Sequence, residues 1–220
     1  MCGRYYRTED KQAIAEYFHA AAASGEPLPP GYNIAPGTRQ PVIRQARETF
    51  ARELVGMRWG LIGFGSAGPD PRRATFNARS ENLERSDLWR APLHKRRCLV
   101  PLSGFYEWRK ADKAPFRFTL RGQPLYVLAG LWDAWMDPAG SWLQSFSIIT
   151  VPASPAMRAV HDRMPAILRP QDYDEWLDRG QVERAPIHLL ASFPENTLEM
   201  HAANPGVGNV RNQGADLLSP

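Results

Sequence analysis

The chain has little cysteine, little lysine and no long apolar run. Of 220 residues only Cys2 and Cys98 are cysteines, so there is no disulfide framework, and a reducing compartment is expected. There is no Cys-x-x-Cys pair and no His-Glu-x-x-His segment, and of the five histidines only His94 lies near a cysteine, four residues before Cys98. A structural metal is therefore excluded from the expectations, and no cofactor is called for. No stretch approaches the length of apolar chain that spans a bilayer, which excludes a membrane helix. The start, Met1-Cys2-Gly3-Arg4-Tyr5-Tyr6-Arg7, lacks the apolar centre of a signal peptide, so a cytoplasmic protein is expected. Lysine is limited to Lys11, Lys95, Lys110 and Lys113, and the other 23 of the 27 basic residues are arginine. The net charge is only +4, but its distribution is uneven. Residues 1–121 carry 21 basic and 12 acidic side chains, and residues 122–220 carry 6 and 11. Arginine's planar fork grips phosphate with two hydrogen bonds, so a basic N-terminal half points to a polyanion as much as to a biased composition.

A hydrophobic content of 43% and a charged content of 23% describe an ordinary globular chain. Thr8 to Ala23 reads as a helix with Ile14, Tyr17 and Phe18 on one face. The segment from Gly25 to Pro30 ends it. Strands are expected at Pro41 to Ile43 and Glu53 to Trp59. Gly60 to Pro71, rich in glycine, is a loop. Ser86 to Arg96 is helical around Pro92. Aromatic and β-branched runs then mark strands at Arg97 to Pro101, Phe105 to Arg109, Phe116 to Leu120, Leu125 to Leu131 and Ser145 to Val151. Pro155 to Val160 supplies one helical turn, Gln171 to Asp178 a helix, and Arg184 to Leu190 another short one. The expected fold is α+β: a single domain over residues 1–220, with a strongly bent, mostly antiparallel β-sheet core flanked by short helices.

A cysteine at position 2 is the chemical oddity. Methionine before a small residue is commonly trimmed, leaving an amine and a thiol on adjacent carbons. With reference pKa values of about 7.7–8.0 and about 8.5, both are partly reactive near neutrality. An aldehyde condenses with the amine to an imine, and the thiol closes onto the imine carbon as a five-membered thiazolidine. The ring-opened sugar of an abasic site is such an aldehyde. A terminal cysteine also suits attack on an acyl group, and a buried inert cysteine is the third reading.

Met1-Cys2-Gly3-Arg4-Tyr5 resembles the start of the SRAP family, the SOS-response-associated peptidases or abasic-site-processing proteins. Further blocks resemble that family in the same order. They are Tyr32-Asn33-Ile34-Ala35-Pro36, Trp59-Gly60-Leu61-Ile62 with Phe76-Asn77-Ala78-Arg79, Gly104-Phe105-Tyr106-Glu107-Trp108, and His161-Asp162-Arg163-Met164-Pro165. The tail from Asn204 to Asn212 is similar as well. The resemblance implies a catalytic set of Cys2, Asn77, Glu107 and His161. Asn77 matches the residue that senses the abasic sugar, and its amide both donates and accepts. On the bare sequence, capping the following turn is the commoner use of such an Asn. Glu107 matches the catalytic carboxylate. Set between aromatics it can pass a proton to a sugar oxygen, although alternation alone would place it on a surface. His161 matches a catalytic imidazole suited to proton exchange at neutral pH. Arg4, Arg79 and Arg163 resemble phosphate clamps, and Asn33 and Pro36 shape the pocket.

One departure stands out. Where the family has proline followed by tryptophan after Trp-Gly-Leu-Ile, this chain reads Gly63-Phe64-Gly65-Ser66. Phe64 is thereby the candidate to stack on a base, in a loop whose glycines also suit mobility. The expected partner is single-stranded DNA carrying abasic sites. The expected state is a monomer, nucleoid-associated when on DNA. Lyase activity and self-removal of Met1 are related possibilities, and the competing readings are a cysteine hydrolase and a non-covalent single-strand binder.

Overall fold

The computed structural model describes residues 2–23, 25, 27–70, 72–191 and 197–219. Met1, Glu26 and Pro71, on which the expectations of trimming, a turn and a loop partly fall, lie outside them.

The strands are β1 (Arg4–Arg7), β2 (Ala21–Ala22), β3 (Gly31–Ile34), β4 (Arg39–Gln45), β5 (Arg52–Trp59), β6 (Asn77–Arg79) and β7 (Arg97–Leu102). They continue as β8 (Gly104–Trp108), β9 (Pro115–Leu120), β10 (Tyr126–Met136), β11 (Trp142–Pro152), β12 (Arg163–Pro165), β13 (Ile167–Leu168) and β14 (Leu198–Ala202). The helices are α1 (Lys11–Tyr17), α2 (Asp87–Lys95), α3 (Pro155–Arg158) and α4 (Tyr173–Leu177). The α+β class and the mostly antiparallel pairing agree with the sequence reading, but the strands divide into two sheets instead of one. The smaller runs β14-β9-β8-β1-β3. The larger runs β12-β11-β10-β7-β4-β5-β2, and β5 also pairs back to β11 in parallel through Ser145↔Arg58 and Phe146↔Trp59. The ring β11-β10-β7-β4-β5 is therefore closed, a small barrel that leaves no free edge among those five strands.

Closure explains why β10 and β11 read as apolar runs. Residues 126–131 and 146–151 are buried on both faces, one toward the barrel and one toward helices or the second sheet. Trp59 plugs one end. It is fully buried, lies parallel to Phe146 at 6.3 Å, meets Tyr5 at 5.1 Å, and donates Nε1 to the Phe76 carbonyl at 2.9 Å. One aromatic thus joins β5, β11, β1 and the segment entering β6, which fixes where Asn77 begins.

The second sheet brings the N-terminus to β8. Arg4↔Tyr106, Tyr5↔Phe105 and Tyr6↔Gly104 set the register. Gly104 is required by close approach: a Cβ there would stand 2.5 Å from the Tyr6 ring and 2.7 Å from the Phe118 carbonyl oxygen.

Helix α1 is shorter than the pattern suggests. Asp10 caps it by accepting from the Ala13 N–H at 2.9 Å. It stops at Tyr17 because His19 turns to positive φ and Ala21–Ala22 pairs with β5, a tertiary pairing that local periodicity does not register.

Candidate active site

Four segments meet where β1 enters the second sheet. Cys2 precedes β1, and Glu107 sits on the neighbouring β8. Asn77 opens β6, held alongside β11 by the Asn77↔Ile148 register. His161 follows α3, in a turn tied to the end of β8 by Lys110 N–H to the Val160 carbonyl at 3.3 Å and by a Lys110–Asp162 ion pair at 2.9 Å.

Cys2 is fully buried at the edge of the apolar core, as the inert-cysteine reading would have it, but Asn77 and Glu107 stand next to it. Asn77 Nδ2 donates to the Cys2 carbonyl at 2.9 Å. Asn77 therefore reaches across 75 residues instead of capping the next turn. Its Oδ1 is buried with no hydrogen-bond partner among the described residues, an acceptor facing nothing that donates. Glu107, 5% exposed, accepts from the Trp108 N–H at 3.1 Å. It is no surface residue of an alternating strand.

Burial pushes the Cys2 thiol up to about 12, and the Glu107 charge adds to that; a hydrogen bond from the Arg4 backbone opposes it. Burial thus moves the thiol away from the partial ionisation that an exposed terminal cysteine has near neutrality. Cys2 holds its proton at neutral pH, so any attack by sulfur must hand that proton to a base. Burial likewise lowers the His161 pKa, against the pull of Glu107, which raises it. The carboxylate acts on both the thiol and the imidazole, so the three groups share one electrostatic site. His161 Nδ1 lies 3.0 Å from the Arg163 N–H and 2.9 Å from Asp162 Oδ1. One lone pair cannot accept the first while a proton donates to the second. The lowered pKa favours the neutral ring, with Nδ1 accepting and the proton on Nε2.

Tyr5 and Tyr126 read only as apolar sequence, yet both hydroxyls are buried without hydrogen-bond partners among the described residues and lie within electrostatic reach of Cys2. Tyr5 closes the opening block, but no local motif marks Tyr126.

The arginines differ. Arg79 is exposed and makes no side-chain hydrogen bond or ion pair among the described residues, so its fork is open two residues from Asn77. Arg163 is engaged: it holds Glu81 through two 2.9 Å contacts and the Thr150 carbonyl at 2.6 Å. Arg4 Nη1 donates at 2.7 Å both to Asn33 Oδ1 and to the Val207 carbonyl, with its guanidinium 5.5 Å from the Trp108 ring. Asn33 is buried and also donates to the Asn209 and Asn212 carbonyls, fastening the C-terminal segment to β3.

A groove of about 510 Å³ opens beside Trp59 and Phe76 and is lined also by Pro36, Arg58, Ile62 and Arg73. Its rim is the glycine-rich loop, and the loop is pinned. Ile62 N–H donates to Ser145 Oγ at 2.8 Å, Phe64 N–H to Asp133 Oδ2 at 3.1 Å, and Trp135 Nε1 to the Ser66 carbonyl at 3.0 Å. Phe64 is 67% exposed and stacks on exposed Trp142 at 6.2 Å and 17°.

The model of the family described as SOS response associated peptidase (SRAP) matches residues 1–210. The chain belongs to the SRAP family. It is 31% identical to the abasic site processing protein YoqW of Bacillus subtilis (strain 168), over 99% of both chains. It is 32% identical to the abasic site processing protein HMCES of Xenopus tropicalis, over all of this chain and 78% of that one. Among solved structures, a protein from Bacteroides thetaiotaomicron superposes with a TM-score of 0.82 at 25% identity, covering 93% of each chain. The fold is thus shared over nearly the whole chain. Among the described residues no helix is long and apolar enough to cross a membrane, and no group of three or more His, Cys, Asp and Glu is placed to hold a metal ion.

The buried site carries a pH signature. A thiol raised from 9.0 to about 12 stays protonated in the folded state while the unfolded chain ionises. Its contribution is intact below 9.0 and is lost as pH rises toward about 12. Cys98, Tyr5 and Tyr126 are raised by burial and act in the same direction. The urea midpoint is expected to hold steady up to about pH 8 and fall steadily above about pH 9. A flat midpoint through that range would mean that these groups are not desolvated.

Proposed function

We propose that this protein captures abasic sites in single-stranded DNA as a thiazolidine on Cys2, shielding the lesion for repair. The reading is carried by one observation: Cys2, Asn77, Glu107 and His161, widely scattered along the chain, meet at one buried site beside a groove. The names of its relatives, abasic site processing proteins, point the same way.

Removal of Met1 frees the α-amine. The amine adds to C1′ of the open sugar and water leaves, forming the imine. Cys2 sulfur then bonds to that carbon, and its proton passes by way of a base to the imine nitrogen. One water is released overall and no oxidant is needed. A protonated thiol makes the base indispensable, and Glu107 is the group beside it that can accept, while neutral His161 offers its Nε2 proton as a donor. Asn77 holds the Cys2 carbonyl with its amide nitrogen and offers its buried oxygen to a sugar hydroxyl. Arg79, open and adjacent, takes the flanking phosphate. Arg163 and Arg4 act through Glu81 and Asn33, or exchange those partners for phosphate when DNA arrives. Phe76 lines the groove for bases over the buried Trp59, with Phe64 and Trp142 at its rim. Phosphates and stacking dominate, so little base preference follows. β-Elimination from the imine is open to the same site, and self-removal of Met1 by Cys2 is a second use of the thiol.

The test is a denaturing gel. Protein confirmed by mass to begin at Cys2 is mixed with single-stranded DNA holding one abasic site, beside an intact strand. A denaturant-resistant band requiring the abasic site supports the reading. No band overturns it in favour of hydrolysis, and binding of both strands alike, with no covalent product, favours a non-covalent binder.

A further inference from the structure

A second cluster of arginine lies apart from Cys2. Arg44 on β4 stands 4.4 Å over the Trp132 ring and pairs with Glu53 at 2.6 Å. Arg96, just past α2, pairs with Asp133 at 3.1 Å, and its carbonyl accepts the Trp132 N–H at 2.9 Å. Arg179, after α4, is anchored by its own N–H to Gln45 Oε1 at 3.0 Å, beside Arg44 in sequence. Arg47 is exposed in the hairpin that ends β4. The side chains of Arg47 and Arg179 make no hydrogen bond or ion pair among the described residues. Arg179 is the common neighbour: its guanidinium is pushed down first by burial and then by the charges of Arg44, Arg47 and Arg96, with Glu53 opposing. Cations gathered on three separate elements with two open forks repel one another, a cost that a bound polyanion removes.

The cluster is joined to the groove. Gly63 lines the groove, and Phe64 follows it. The Phe64 N–H is held by Asp133, and the same carboxylate holds Arg96. Asp133 thus ties the rim that carries the Phe64–Trp142 pair to Arg96.

We propose that Arg44, Arg47, Arg96 and Arg179 form a phosphate-binding ridge that carries a DNA strand onward from the groove past Phe64. The partner is the sugar–phosphate backbone several nucleotides from the lesion. It is bound without base readout, because guanidinium forks and one partly covered tryptophan offer no pattern for base edges. Asp133 is a positioning residue, setting both the rim and the first arginine. The ridge rests on the DNA reading given above but not on its covalent step.

The test uses the double variant Arg47→Ala/Arg179→Ala, which removes the two open forks and breaks no side-chain hydrogen bond or ion pair among the described residues, so its denaturation midpoint is expected to match the parent's. Binding of intact single strands of about 6 and about 24 nucleotides is followed over a salt series, with crosslinking at Cys2 scored on a short abasic strand. On the long strand the slope of log K against log salt is expected to fall by about 1.4, about 0.7 for each phosphate that an arginine no longer neutralises. Short-strand binding and crosslinking stay unchanged. An unchanged long-strand slope overturns the ridge. Equal weakening on both strands also overturns it, since the arginines would then serve the groove itself. If the parent never crosslinks yet the long-strand slope falls in the variant, the ridge stands and the covalent reading is the part that fails.

Discussion

Replacing Cys2 by alanine, in protein trimmed of Met1, is expected to abolish the denaturant-stable product while leaving a trace that borohydride can trap. The variant keeps the α-amine, and the amine alone suffices for an imine. What it loses is the second bond to the sugar carbon. An imine returns to aldehyde and amine by adding water across one bond; a thiazolidine must first expel sulfur and then hydrolyse. The site favours sulfur as the second partner because Cys2 is sealed from solvent, so water competes poorly for the imine carbon. Without the thiol the imine has two exits, hydrolysis and β-elimination. Strand cleavage by Cys2→Ala is therefore expected to rise relative to capture. The measurement is a time course on one abasic strand, quenched with and without borohydride and resolved on a denaturing gel. A Cys2→Ala product as durable as the parent's would rule out ring closure. A parent that yields product only after reduction would reduce the chemistry to a simple imine.

The candidate site residues are more legible in the sequence than the topology. Cys2, Asn77, Glu107 and His161 are each legible because a short block surrounds them, and the blocks are local. Their convergence depends on pairings such as Arg4↔Tyr106 and Asn77↔Ile148, which no local pattern encodes. β1 escapes the strand reading for the same reason. Arg-Tyr-Tyr-Arg has the charge of a surface segment, yet Arg7 is 1% exposed, its fork satisfied by the Glu9 and Pro29 carbonyls. Two-sheet architecture and barrel closure are equally hidden, since β5 meets β11 through only two residue pairs distant in sequence. The loop from Gly60 shows the opposite error. Its glycines suggest mobility, but Ser145, Asp133 and Trp135 fasten it from strands far along the chain. Composition reports how freely a backbone can move, and not what it is tied to.

Glu107 offers the sharpest test of mechanism, because its charge and its proton transfer predict opposite signs. As a charge, it raises the Cys2 thiol pKa and the His161 pKa. Glu107→Gln keeps the shape and removes both effects. The thiol of the variant should then ionise at lower pH, seen in the rise of thiolate ultraviolet absorbance with pH, and His161 should lose its proton at still lower pH. If thiolate supply alone governed capture, the variant would be faster than the parent. As the acceptor of the thiol proton and its donor onward, however, Glu107 cannot be replaced by an amide. Loss of a positioned acid–base group costs about 10²–10⁴ in rate. That loss is larger than the gain from easier ionisation, since the thiol remains fully buried and burial is the first cause of its raised pKa. The expected outcome is a thiol that ionises more readily and a crosslink that forms more slowly, by about 10² or more near neutral pH. The deficit should narrow as pH rises and solvent hydroxide takes over the deprotonation. A variant that crosslinked faster than the parent would make Glu107 an electrostatic brake on Cys2 and would leave the thiol proton to solvent. A variant slowed equally at every pH would place Glu107 on the sugar oxygen instead of the thiol.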